Sequence, residues 1–146
     1  MRETKEQPIW HGKVFSSNWV EAQGGVANVV DPSNGNIIGV TGVANGKDVD
    51  AAVNAAKRAQ KEWAAIPFSE RAAIVRKAAE KLKEREHEFA DWNVRECGAI
   101  RPKGLWEAGI AYEQMHQAAG LASLPNGTLF PSAVPGRMNL CHRVPV

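Results

Sequence analysis

Apolar and polar positions change rhythm three times along the chain. The first 25 residues, with Trp10, Phe15 and Trp19 among Gly, Ser, Asn and Gln, keep no sustained period and read as an arm whose aromatics cover another surface. Residues 26–43 carry two β-branched runs around Asp31-Pro32-Ser33-Asn34-Gly35. Asp31 suits the first turn position, Pro32 presets the second, and Asn34-Gly35 tolerate positive φ, so the pattern predicts strand, turn, strand with a bulged loop.

A helical period follows. Asn45, with Asp48 three residues later, is a variant capping box, and Val49, Val53, Ala56, Ala59 and Trp63 recur on one side of a helix predicted over 47–62, ended by the approach to Pro67. Ser69 is expected to cap a second helix, with Ile74, Val75, Ala78 and Leu82 as its buried stripe. A third carries Phe89, Trp92 and Val94 and stops at Cys97-Gly98, where glycine supplies a left-handed residue. Pro102 fits the first turn of a fourth, whose stripe is Leu105, Ala108, Gly109, Tyr112, Met115 and Ala119. Trp63 and Trp92, on apolar faces, are expected in the core. Beyond Gly120 the period is lost, turns appear at 124–127 and 131–136, and Arg137 to Val144 alternate as a half-exposed strand does. The predicted class is α+β, mainly helical: an N-terminal β-hairpin, four amphipathic helices and a C-terminal strand pair.

Composition narrows the partners. At 146 residues the chain has the size of one domain, and with 44% apolar and 23% charged residues it lies far from the signature of disorder. Net charge is +2, and Lys81-Leu82-Lys83-Glu84-Arg85-Glu86-His87-Glu88 interleaves both signs as a solvated helix face does, so nucleic acid is not an expected partner. No apolar run reaches the roughly 20 residues of a membrane span. The N-terminus MRETKEQPIW also lacks an apolar signal core, so the expected location is cytoplasmic. Cys97 and Cys141 are far apart with no Cys-x-x-Cys spacing, which points to reduced thiols.

Candidate chemistry is sparse. Gly39, Gly42 and Gly46 run from a strand into a helix, but their spacing is neither a dinucleotide fingerprint nor a P-loop, and Asp48 after Lys47 would repel a phosphate. His11, His87, His116 and His142 fall in four different predicted elements, with no second ligand at metal spacing. Cys97 has Arg95 and Arg101 near it, which favours a thiolate, yet it ends its helix, where the dipole disfavours one, and no histidine is near in sequence. Taken alone, the residues show no catalytic, cofactor-binding or metal site.

Several motifs in order resemble the N-terminal region of the aldehyde dehydrogenase superfamily. They are Val29-Val30-Asp31-Pro32-Ser33-Asn34-Gly35-Asn36-Ile37-Ile38-Gly39, Asp48-Val49-Asp50-Ala51-Ala52-Val53, Trp63, Ile66-Pro67 and Glu70-Arg71. A narrower likeness, to benzaldehyde dehydrogenase-like members, lies in Asn18-Trp19-Val20 before Gly24-Gly25, in residues 95–103 and in Glu107. The resemblance implies oxidation of an aldehyde to a carboxylic acid, with NAD or NADP as acceptor in the full-length family. There a cysteine in a Gly-Gln-x-Cys setting is the nucleophile, and a Pro-Trp-Asn-Phe-Pro segment follows the strand matched by Arg143-Val144-Pro145-Val146. Neither Cys97 nor Cys141 stands in that setting.

The resemblance therefore implies a truncated N-terminal segment, inactive and cofactor-free alone. It divides the chain into an arm over 1–25, a hairpin and helical part of the nucleotide-binding domain over 26–122, and a strand arm over 123–146 resembling the oligomerisation segment. Helices made to pack on an absent sheet would leave apolar faces and strand edges uncovered, so a homo-oligomer is expected. A non-catalytic helical module that self-associates or binds a full-length relative stays open as the alternative.

Overall fold

The structure, a computed structural model, describes residues 8–144. Residues 1–7 of the expected arm, and Pro145-Val146 of the terminal segment, lie outside them. Strand β1 (Lys13–Phe15) pairs antiparallel with β2 (Trp19–Glu21), and β3 (Val26–Val30) with β4 (Ile37–Gly42). Helices α1 (Gly46–Ala65), α2 (Phe68–Glu84), α3 (Glu86–Cys97) and α4 (Arg101–Leu121) follow, and β5 (Gly127–Pro131) pairs antiparallel with β6 (Met138–His142). This is the predicted mainly helical α+β order. The expected arm departs from it, because residues 13–21 close into a hairpin of their own. Three-residue strands are too short to leave a readable alternation, which is why the period gave no sign of them.

The β3–β4 turn is held as its residue types require. The Asp31 carboxylate accepts from Ser33 N at 2.9 Å and from Ser33 Oγ at 2.6 Å, while its carbonyl accepts from Gly35 N at 2.8 Å. Those donors hold the Asp31 carboxyl below its ordinary pKa. The bulge falls between Val29 and Val30. Trp10 finds the surface its ring needs: it lies over Gly39 and meets Trp92 of α3 edge-on, centroids 5.6 Å apart at 83°.

Helix α4 packs against both α2 and α3, and the contact is made of small residues. Among the described residues the buried apolar ones are Ala72 and Ala79 of α2, Ala90 of α3, and Ala108 and Ala119 of α4. Gly104 is buried as well, and a Cβ there would stand 2.9 Å from the Ala90 carbonyl oxygen, so glycine lets the two backbones touch. The predicted α4 stripe holds. The α2 stripe does not: Ile74 and Ala78 face outward while Ala72 and Ala79 turn in, with Val75 and Leu82 half-buried. Apolar residues circle much of α2, so periodicity alone could not choose the inward side.

Two further expectations change. Ser69 makes no capping bond, because α2 begins two residues earlier than a Ser69 cap would set, at Phe68 behind Pro67, whose carbonyl accepts from Glu70 N and Arg71 N. Trp92 is half-buried, but Trp63 is 40% exposed. Helix α1 runs past 62 to Ala65 and ends at Ile66, held extended by Pro67. No residue of α1 is buried, and Val49 and Val53 on its apolar side are 55% and 58% exposed. At α3, Gly98 takes φ +66°, the left-handed cap expected there.

Candidate functional site

The strand-to-helix junction at β4–α1 is where a phosphate cradle would sit, and its donors are already engaged. Asn45 Oδ1 accepts from Lys47 N at 2.9 Å and Asp48 N at 3.3 Å. Asp48 Oδ2 accepts from Asn45 N and, across 25 residues, from Gln23 N, both at 2.9 Å. The Asn45 bond, with Gln23 beside it, holds the Asp48 carboxyl below its ordinary pKa. A carboxylate thus occupies the positive end of the helix, where a dinucleotide phosphate would meet like charge. These residues do not fit that group.

The other residues singled out in the sequence are scattered. Cys97 is exposed at the last position of α3, and Cys141 is exposed on β6. Among the described residues no three of His, Cys, Asp and Glu converge as metal ligands. His87 Nδ1 lies 3.4 Å from the Arg101 guanidinium, which also pairs with Asp91, so these groups link the start of α4 to α3.

Among the polar ties between elements that sequence reasoning missed, two involve α2. Tyr112 Oη donates to Glu80 Oε1 at 3.2 Å, and His116 Nε2 lies 3.2 Å from the same oxygen. The bond to the Glu80 carboxylate, aided by burial, raises the Tyr112 pKa. The one readable signal was Tyr112 and His116 four apart on a single helix face. Arg71 Nη1 donates to the carbonyls of Trp63 and Ala64 at 3.4 and 3.3 Å, closing the C-terminal end of α1 onto α2. Neither tie brings a nucleophile and a base together. They fix helix positions.

What the chain presents instead is surface. A compact 15.9 kDa monomer exposes about 7,400 Å² by size scaling, whereas this chain exposes 11563 Å². Outward apolar side chains lie on α1 (Val53), α2 (Ile74), α4 (Trp106) and β5–β6 (Leu129, Leu140). A cleft of about 440 Å³ opens between the β1–β2 hairpin and the first turns of α1, lined by Phe15, Val20, Gln23, Asp48 and Val49 among others. Among the described residues no helix is long and apolar enough to cross a membrane.

The class follows from this order of elements and its sequence match: residues 19–146 match the Aldehyde dehydrogenase family, and the chain belongs to it. In sequence it is 94% identical, over all 146 residues, to a benzaldehyde dehydrogenase [NAD(+)] of Pseudomonas putida, and it spans 30% of that relative's length. A vanillin dehydrogenase of an Amycolatopsis species is 39% identical over 93% of this chain and 28% of its own length. In structure it is similar to a NAD-dependent benzaldehyde dehydrogenase from Corynebacterium glutamicum. The TM-score is 0.84 and the identity 33%, over 96% of this chain and 30% of that one.

Proposed function

We propose that this chain is the N-terminal portion of an NAD(P)-dependent enzyme that oxidises aromatic aldehydes to carboxylic acids, and that it is catalytically silent and cofactor-free alone. The observation that carries the reading is the 94% identity along the whole chain to a benzaldehyde dehydrogenase. The vanillin dehydrogenase relative, also named for an aromatic aldehyde, supports the substrate class. Silence is supported by the Asp48 carboxylate at the glycine-bearing junction from β4 into α1 and by the absence of a Gly-Gln-x-Cys setting in the sequence. The chain's share of the work is packing: α2–α4 form a wedge, and α1 and β5–β6 offer apolar faces. Alone at micromolar concentration, those faces bring copies together into a homo-oligomer, and a monodisperse monomer in light scattering would count against that.

The test is a graft. Replacing the matched segment of the Pseudomonas putida relative with this chain is expected to leave benzaldehyde-dependent NADH formation within about twofold of the parent, given 94% identity. The isolated chain is expected to form no NADH above the blank. An inert graft that is folded, or turnover by the isolated chain that Cys97→Ala abolishes, overturns the proposal.

A further inference from the structure

We propose that Asn126 is a self-modification site, at which the backbone nitrogen of Gly127 attacks the side-chain amide and water completes its conversion to aspartate or isoaspartate. The chemistry needs no cofactor, partner chain or enzyme, and it holds whether or not the graft described above is active.

Gly127 N gives up its proton and bonds to Asn126 Cγ, the side-chain amide nitrogen leaves with that proton as ammonia, and a five-membered succinimide remains. Water then adds to either ring carbonyl, and opening of the ring leaves a carboxylate where the amide stood. Nothing is oxidised or reduced. Ring closure needs a following residue with no side chain over its nitrogen, and an amide free to turn back onto it.

Three asparagines precede glycine: Asn34, Asn45 and Asn126. The fold holds the first two. Asn34 Oδ1 accepts from Asn36 N at 2.8 Å, its Nδ2 donates to Asp31 Oδ2 at 3.2 Å, and Gly35 N is engaged by the Asp31 carbonyl at 2.8 Å. Asn45 Oδ1 accepts from Lys47 N and Asp48 N, so turning that amide would undo the cap of α1. Asn126 is exposed in the bend before β5, and its side-chain amide has no hydrogen bond among the described residues. Its backbone carbonyl accepts from Arg143 N at 2.7 Å, but at the open end of a two-stranded ribbon, which frays readily in water. Glycine is required at 127, because a Cβ there would run into the Cys141 carbonyl oxygen, so the fold itself keeps the reactive pair in place.

On the isoaspartate route the main chain runs through the former side chain, and the carbonyl carbon of Asn126 ends as a free carboxylate. The bond from Arg143 N loses its main-chain acceptor, so the modification loosens β5–β6 from the open end and adds negative charge there.

The experiment incubates the 146-residue chain at mildly alkaline pH, digests samples with trypsin and follows the peptide masses. Asn126 is the only asparagine of tryptic peptide 104–137, whereas peptide 14–47 holds both Asn34 and Asn45. Peptide 104–137 should gain about 1 Da and split into aspartate and isoaspartate forms several times faster than 14–47 changes. In guanidinium chloride the ties are lost and the order should reverse, since 14–47 carries two Asn-Gly pairs. Asn126→Gln, whose longer side chain closes a six-membered ring far more slowly, should hold 104–137 at its original mass with helicity by circular dichroism unchanged. A native chain in which 14–47 keeps pace overturns the proposal, as does an order that denaturant leaves unchanged. So does a peptide 104–137 that stays unmodified in the parent or shifts equally in Asn126→Gln.

Discussion

Gly104 on α4 and Ile74 on α2 show how differently two helix positions are constrained. A Cβ at Gly104 would meet Ala90 at its carbonyl oxygen, Cα and Cβ, at 2.9, 3.0 and 3.2 Å, and backbone cannot step aside as a side-chain tip can. Gly104→Val should therefore destabilise the α3–α4 contact by about 1–3 kcal/mol, read as a lower urea midpoint of helicity. Ile74→Ala, at a position 51% exposed, should stay within about 0.5 kcal/mol. Equal losses for the two would refute the alanine-lined core. The sequence could not rank them, since Ile74 is the larger hydrophobe and transfer energy favours burying it. What selects Ala72 and Ala79 is the closeness of the helix backbones, which no single-chain period encodes.

At the scale of the element, α1 rests on its N-terminal box rather than on packing. Asn45→Ala removes the side chain that accepts from Lys47 N and Asp48 N, and should cost the helix about 1 kcal/mol. The pH dependence has a definite sign. Because the folded Asp48 carboxyl titrates below its ordinary value, it stabilises the fold fully above about pH 4, and this contribution is lost as pH falls through its depressed pKa. Amide exchange over 46–49 should quicken as pH is lowered toward 2, relative to the intrinsic rate, and Asp48→Asn should flatten that response. A wild-type profile flat from pH 6 to 2 would refute it. This box was legible because Asn45 and Asp48 act within one turn. The bond from Gln23 N was not, since 25 residues separate its ends. The same distance rule separates the β3–β4 turn, written in five adjacent residues, from the Glu80 tie to Tyr112 and His116, which exists only once α2 and α4 meet.

Across the whole molecule, order should follow cover. Residues near Ala108 on α4 lie between two helices, whereas every residue of β6 is exposed, and a lone two-stranded ribbon is marginal in water. Amide exchange should be slowest in the middle of α4 and approach the unprotected rate in β5–β6. Comparable protection in the hairpin and in α4 would refute this. Element order was readable along the chain because each element carries its own caps and turns. Which faces stay wet was not, since that depends on what else is folded alongside. The Leu129–Leu140 pair sits on a ribbon wetted on both sides. A protease offered this molecule would trim that ribbon first and leave the three-helix wedge whole, so β5–β6 would vanish from any aged preparation before the helices do.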